Sequence, residues 1–383
     1  MIRRMIAVVS LVVLTFLLAP RSAGAVACGQ TISGSVTLTG PLDCSTSPTT
    51  YALRIAATSA PTTLDCDDFD ITGANPGTPN CNTAHSGIFI DGAFGATVKN
   101  CRVVQKFCQG IRLYNATDTR VENSKFQDNQ RYGMWITDST GSEIFNNDVV
   151  DSGDEGIHLS GPCNTAGNNQ LLGNRVFGKA DGSTVEGIYF EGASGNTIGR
   201  LVTLGTIIKT EVKDHKETGI HLNRKTEPTP ICESDDNIIE RTEVTDDQIH
   251  LRGSQNNTLK HLKLMVGGRN KGGQLKFSDQ ADEEGQNLRA SSNNTGNHID
   301  ITTGTVSFAY FIQGGATGIE IKNSSATIGV GVDRLPSERH ICGKNTAVAT
   351  FPSPFTFDGD LVCRPQDTSS ITVNGNACVV GQC

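Results

Sequence analysis

Three of the eight histidines stand at matching places in the chain. His158, His221 and His250 are each the third residue of a five-residue block: Gly156-Ile-His-Leu-Ser, Gly219-Ile-His-Leu-Asn and Gln248-Ile-His-Leu-Arg. Tyr189 holds the same place in Gly187-Ile-Tyr-Phe-Glu, and the only tryptophan, Trp135, holds it in Gly133-Met-Trp-Ile-Thr. Imidazole titrates near neutrality, so it can accept or return a proton there. A phenol can donate one, and guanidinium or ammonium groups hold carboxylates. Such a set suits removal of the proton beside a sugar carboxylate, the step shared by lyases and epimerases. The catalytic candidates are therefore His158, Tyr189, His221 and His250. Arg112, Trp135, Arg252 and Lys276 are the candidates for stacking on sugars and holding their acid groups.

These residues are kept in line by a repeat. Gly87, Gly110, Gly133 and Gly156 follow one another at intervals of 23 residues. A second register, Val98-Lys-Asn100, Val121-Glu-Asn123 and Ile144-Phe-Asn146, keeps the same interval. Ile88, Ile90, Ile111, Leu113, Ile157 and Leu159 alternate with Phe89, Arg112 and His158, which is strand periodicity with one face buried. A repeat of this length marks a solenoid whose turns stack to bury a common core. Asparagine recurs at one bend, where it tolerates left-handed backbone and can bond its counterpart in the next turn. The pattern predicts an all-β, single-domain parallel β-helix. The third residue of each block then points outward, and Phe89, Arg112, Trp135, His158, Tyr189, His221, His250 and Lys276 form one column. Turns are about 4.8 Å apart, so eight of them span roughly 35 Å, the length of several sugar rings.

The Gly-Ile-x-Leu and Val-x-Asn rungs resemble the right-handed parallel β-helix repeat proteins of the pectin-lyase-like superfamily, which includes the NosD-like periplasmic proteins. The likeness runs over about residues 50 to 330 and implies that fold. It implies no single activity, because the superfamily holds lyases, epimerases, hydrolases and adhesins. The chain lacks the Asp-Pro-His-Asp run of mannuronan epimerases, the Trp-Ile-Asp-His run of pectate lyases and the polygalacturonase set. Only Trp135-Ile-Thr-Asp138 half matches, so no catalytic residue carries over.

Residues 1–25 read as a signal peptide, with Arg3 and Arg4 ahead of the apolar run Ile6 to Ala19 and a small-residue site at Ala23-Gly-Ala25. No later apolar run is long enough for a membrane span. Residues 26–50 are expected to cap the solenoid, 51–334 to form it, and the Cys- and Pro-rich stretch 335–383 to close it. The formal net charge of −8 becomes −11 without the leader's three arginines. That balance excludes a nucleic-acid binder, which needs a basic face. All 12 cysteines follow the leader and none forms a Cys-x-x-Cys pair. They read as disulfides of a secreted or periplasmic protein, with Cys28–Cys44, Cys342–Cys363 and Cys378–Cys383 expected from proximity. Asp65, Asp67, Asp68 and Asp70 cluster without the spacing of a calcium loop and read as a solvated turn.

Beyond Gly156 the glycine intervals lengthen to 31 and 32 residues, so residues 161–169 and 178–186 are expected to leave the scaffold as loops. Acids precede the strands at Asp154-Glu155, Glu186, Glu217 and Asp246-Asp247. Paired, they offer a glycoside hydrolase site; joined to His158, His221 and His250, they offer metal ligands. The leading expectation is an exported protein that binds an extended, uronate-containing polysaccharide along one sheet and acts on it as a lyase or epimerase. Its alternatives are a non-catalytic periplasmic or surface carbohydrate-binding protein, and a glycoside hydrolase. No cofactor is identified.

Overall fold

The computed structural model describes residues 26–47, 49–57, 61–75, 81, 85–161, 165–203, 206–225, 232–265, 274–281, 287–303, 308–313, 316–328, 339–344, 348–357, 363–365 and 370–378. The expected signal peptide, Cys163, Pro336 and Cys383 lie outside them, as do the side chains of Cys342 and Cys363. No helix occurs among the described residues. Successive turns stack in parallel, which makes the chain the β-helix that its repeat predicts.

Each regular turn has one six-residue strand in a first sheet and two three-residue strands in a second. Gln109–Tyr114, Thr97–Lys99 and Val103–Gln105 are examples. The glycine blocks form the first sheet, with Ile88, Ile111, Met134, Ile157, Ile188, Ile220 and Ile249 in register from turn to turn. Their side chains are fully buried against Val98, Val121, Ile144, Val104, Phe126 and Val149 of the second sheet. Each such burial stabilises the fold by roughly 1.5–3 kcal/mol relative to exposure.

The glycine at each block's head stands where the two walls come closest. A Cβ on Gly133 would lie 2.2 Å from Val149 Cγ1 and 2.8 Å from the Gly156 carbonyl oxygen. The ladder steps over this residue, pairing Gln109 with Tyr132 and then Ile111 with Met134. As a consequence the residue before the glycine shares the outer face with the third residue of the block.

The second sheet folds sharply between its two strands, where Asn100, Asn123 and Asn146 have φ of 56°, 50° and 52°. Asn146 Nδ2 donates to Asn123 Oδ1 at 2.6 Å, whereas Asn100 Nδ2 donates to Asp65 Oδ1 at 3.0 Å. A longer ladder lies inside the barrel. Asn169, Asn196, Asn237, Asn257 and Asn294 are fully buried and bond one to the next, Nδ2 to Oδ1, at 3.1, 3.3, 3.1 and 3.0 Å.

Residues 30–43 already make a complete turn, pairing with the strands that begin at Tyr51, Thr63 and Asp70. Parallel pairing also runs past residue 335, through Arg339–Lys344 and Cys363–Pro365 on the first sheet and Val348–Phe351 and Ser370–Val373 on the second. The segment Gly318-Ile-Glu-Ile-Lys-Asn323 belongs to the second sheet, its Glu320 opposite Thr295; Phe308–Gln313 supplies that turn's first-sheet strand. The longer interval after Gly187 is taken up by a two-stranded hairpin, Leu201–Thr203 with Thr206–Ile208.

Cys28–Cys44 forms as expected, and Cys66–Cys101 and Cys81–Cys108 join adjacent turns. Cys232 and Cys378 are also bonded. Two members of the aspartate cluster near residue 65 are paired with cations of the next turn: Lys99 Nζ lies 3.0 Å from Asp65, and Arg102 grips Asp70 at 2.8 and 2.6 Å.

Candidate functional site

The outward column is continuous. In register across the first sheet run Arg54, Phe89, Arg112, Trp135, His158, Tyr189, His221, His250, Lys276 and Phe311. An outward position on a flat sheet is ordinarily half-exposed, but here His158, His221 and His250 are only 6%, 7% and 8% exposed. Large neighbours at matching heights cover them. Ring centroids are 6.4 Å apart for Trp135 and His158, 5.1 Å for His158 and Tyr189, and 5.2 Å for Tyr189 and His221. His221 and His250 stack face to face at 4.7 Å. Tyr132, one column aside, closes on His158 from 4.8 Å.

Carboxylates stand on both flanks of this line, as the step over the glycines requires. Glu186 Oε1 is 2.6 Å from His221 Nδ1. Glu155 Oε2 and Glu191 Oε2 approach His158 Nδ1 and Nε2 at 3.6 and 3.7 Å, ion-pair contacts too long for hydrogen bonds. Asn223 Nδ2 donates to the Tyr189 hydroxyl oxygen at 2.7 Å, which leaves the phenol's own proton directed elsewhere. His250 Nε2 meets Ser278 Oγ at 2.8 Å. Among the described residues, several buried polar atoms in this cluster have no hydrogen-bond partner: His221 Nε2, both ring nitrogens of His158, Glu155 Oε2 and Asn223 Oδ1.

The two ends of the cluster carry opposite protonation. Burial pulls the His158 imidazole down, but Glu155 and Glu191 outweigh it and raise the pKa to about 8. His158 in turn lowers the Glu191 carboxyl. Burial, His221, Lys276 and Arg252 together push His250 well below its usual range, so it is neutral at pH 7. Burial raises the Tyr189 phenol, which stays protonated.

The remaining candidates bracket the cluster. Arg112 lies over the rings of Trp135, Tyr114 and Phe89 at 4.3, 5.1 and 5.3 Å, and burial lowers its pKa. Trp135 Nε1 donates to Ser160 Oγ at 3.2 Å, which fixes the indole edge-on to its neighbour. Lys276 follows His250 in the column, and Arg252 stands one column aside, between Asn223 and Ser278. All eight predicted residues thus fall on one face. Sequence reasoning missed Glu191, Asn223, Tyr132 and Ser278. Glu191 and Asn223 were within reach, since each lies two residues beyond an aromatic of the column and so shares its face.

The acids ahead of the strands divide. Glu155 and Glu186 join the cluster, whereas Asp154 lies 3.7 Å from Arg131 and Glu217 is exposed. Asp247 turns into the corner of the barrel, 2.7 Å from His215 Nδ1, with both side chains buried.

Comparison with known proteins adds the following. The family model NosD, described as a periplasmic copper-binding protein, matches residues 49–200. No curated protein matches the chain. The catalytic domain of a GH87 alpha-1,3-glucanase, solved with nigerose, superposes with a TM-score of 0.54 at 15% identity over 92% of this chain. This chain spans 63% of that domain's length. A mutant of the periplasmic alginate epimerase AlgG gives a TM-score of 0.49 at 15% identity, over 77% of this chain and 76% of its own. At that identity the glucanase likeness establishes the fold.

The match to a copper-binding family invites a test for copper. His221 Nδ1 and His250 Nε2 are already engaged by Glu186 and Ser278, and stacked imidazoles present faces to each other, not nitrogens. Among the described residues no three His, Cys, Asp or Glu side chains converge as ligands. The column does not fit a copper ion, and no step is derived through one.

Proposed function

We propose that this parallel β-helix is an exported protein that binds an extended, uronate-containing polysaccharide along its aromatic and basic column. On that reading it eliminates or epimerises the sugar at the His158–Tyr189–His221 cluster. The observation that carries the reading is geometric: His221, held by Glu186, stands in register with Tyr189 on the buried, outward-facing column. His221 Nδ1 lies 2.6 Å from Glu186 Oε1, and its Nε2 has no hydrogen-bond partner among the described residues. That is a base oriented by a carboxylate. Tyr189, one strand away and protonated, is the matching acid.

In the elimination, His221 Nε2 takes the proton from the carbon beside the sugar carboxylate. The electron pair forms a carbon–carbon double bond, the bond to the glycosidic oxygen breaks, and Tyr189 gives its proton to that oxygen. The cationic His158 and the basic Arg252 and Lys276 stabilise the carboxylate as charge spreads into it. Epimerisation uses the same abstraction and returns a proton on the opposite face. Trp135 and Arg112 provide the flat platform on which adjoining rings stack. Disulfides between adjacent turns suit an oxidising compartment, and the periplasmic family match agrees with export.

A hydrolase reading rests on Glu155 and Glu186, which stand in register on adjacent strands of the same face. Strand spacing matches the roughly 5–5.5 Å of a retaining carboxylate pair. The fold shared with a nigerose-bound glucanase keeps this reading in play.

One screen separates the possibilities. The protein is incubated with uronate polymers and neutral glucans while ultraviolet absorbance and reducing ends are followed together. Unsaturated product with new reducing ends identifies elimination, and it should vanish in His221→Ala and Tyr189→Phe. Reducing ends without absorbance identify hydrolysis. Binding that weakens in Trp135→Ala but yields no product identifies a binding protein. Loss of a stacked ring should cost on the order of 1–3 kcal/mol, by analogy with stacking of bases on aromatics. Lys99→Ala, on the other sheet, should bind as wild type; if Trp135→Ala does too, the column is no ligand surface.

A further inference from the structure

The second sheet carries a feature that saccharide binding does not use. Its bend column, defined by the same backbone bond in turn after turn, begins Asn100, Asn123, Asn146, Gly173: Asn123 N–H donates to Phe145, Asn146 to Leu172 and Gly173 to Gly199. The column then changes character and reads Arg200, Arg241, His261, His298 before returning to Asn323. Arg241 N–H makes the equivalent bond to Lys260. Yet Arg241, His261 and His298 still have φ of 50°, 52° and 55°. That left-handed conformation suits Asn or Gly and penalises longer side chains, so local backbone preference does not explain the exchange.

Three of these residues line a pocket of about 220 Å³ beside the hairpin, with Arg200, Lys209, Arg241 and Lys263 around it and His261 and the exposed Ile207 as walls. Glu243 is the one carboxylate in the lining. It lies 3.8 Å from Lys209 and 4.0 Å from Lys263, so it is outnumbered four to one. Two further acids stand nearby: Glu240 in register with Lys260, and Glu211 in register with Arg175 on one side and Glu243 on the other. His261 and His298 stack at 4.7 Å. A chain of net charge −8 thus sets four of its 32 lysines and arginines around one concave spot.

We infer that this pocket is a second binding site, separate from the column, for a multiply charged oxyanion: phosphate or sulfate, free or as an ester on a larger molecule. Four cations against one carboxylate exceed what a single carboxylate ligand neutralises, and paired guanidinium groups grip tetrahedral oxyanions through several N–H donors at once.

The test is calorimetric titration of the purified, oxidised protein with inorganic phosphate, inorganic sulfate, glucose 1-phosphate and acetate at matched ionic strength. NMR of the histidine ring protons locates the binding. Saturable binding of the dianions that moves the His261 and His298 signals, with acetate roughly tenfold weaker or worse, is expected. Tighter binding of the sugar phosphate than of phosphate would identify the ligand as a substituent of a larger molecule; equal binding would identify a free anion. Arg241→Asn and His261→Asn restore the residue that the bend prefers. They should keep or raise the thermal midpoint while weakening phosphate by about tenfold or more. The inference is overturned if the wild type shows no saturable dianion binding, if Arg241→Asn and His261→Asn retain it, or if it is lost with Arg112→Ala instead.

Discussion

His158 gives the sharpest physical test of the column, because its charge rests on two named contacts. At 3.6 and 3.7 Å from Glu155 and Glu191, each attraction is on the order of 4–5 kcal/mol at an effective dielectric of about 20. Burying an imidazolium and two carboxylates opposes this by several kcal/mol per ion. What survives is a pKa raised from 6.5 to about 8. At 1.36 kcal/mol per unit, that is about 2 kcal/mol of folding free energy. Because the folded value is raised, the stabilisation is complete below pH 6.5 and is lost as pH climbs through 8. His250 works in the opposite direction: its folded value is depressed, so stability falls as pH drops below 6.5. Urea unfolding from pH 5.5 to 9.5 should therefore show stability highest near pH 6.5, falling by about 2 kcal/mol between 6.5 and 8, and flat above that. His158→Gln should remove most of the decline above pH 7, and NMR should show the His158 ring titrating near 8 in the wild type. Glu191→Gln should bring that midpoint down. A His158 midpoint at or below 6.5, or a pH profile unchanged by His158→Gln, would refute the assignment of charge and with it the proposed role at the sugar carboxylate.

The scaffold offers two further tests. Asn237→Ala removes the acceptor of Asn196 N–H at 2.8 Å and the donor to the Ala193 carbonyl at 3.1 Å, both fully buried, and should destabilise by about 2–4 kcal/mol in urea titration. Mapping of the oxidised protein should recover Cys28–Cys44, Cys66–Cys101 and Cys81–Cys108, and Cys66→Ser with Cys101→Ser should cost up to about 4 kcal/mol for the 35-residue loop.

The fold was legible because a solenoid writes its register into the chain. The 23-residue glycine interval placed Arg112, Trp135 and His158 in line before any coordinates, and the ladder pairs them so. Gly133 explains why the signal was strong, since its neighbour Val149 admits no Cβ there. Residues outside the repeat were not legible. Glu155 and Glu186 read as a hydrolase pair or as metal ligands, not as partners of the column's imidazoles, because nothing in the sequence says that the ladder steps over the following glycine. The Cys66–Cys101 bond joins residues 35 apart in sequence but adjacent in the stack, so proximity along the chain pointed elsewhere. Loss of the motif past residue 334 likewise did not mean loss of pairing: Arg339–Lys344 has no glycine block yet continues the first sheet.

What separates a ligand surface from crowded packing is whether its polar atoms are provided for. The internal ladder is the internal control: Asn196 and Asn237 are buried, and each bonds partners on both sides through its amide. Evolution of this chain evidently can satisfy a stack of buried polar side chains. In the column, His221 Nε2 and Asn223 Oδ1 meet no hydrogen-bond partner among the described residues, and Glu155 Oε2 has only its 3.6 Å ion-pair contact with His158. Each such atom costs about 1–3 kcal/mol when left unmet. A column selected for stability alone would replace these residues with the valine or threonine that an outer strand favours. Their presence together, on one face and within three adjacent strands, argues that their hydrogen bonds are completed by something that comes and goes.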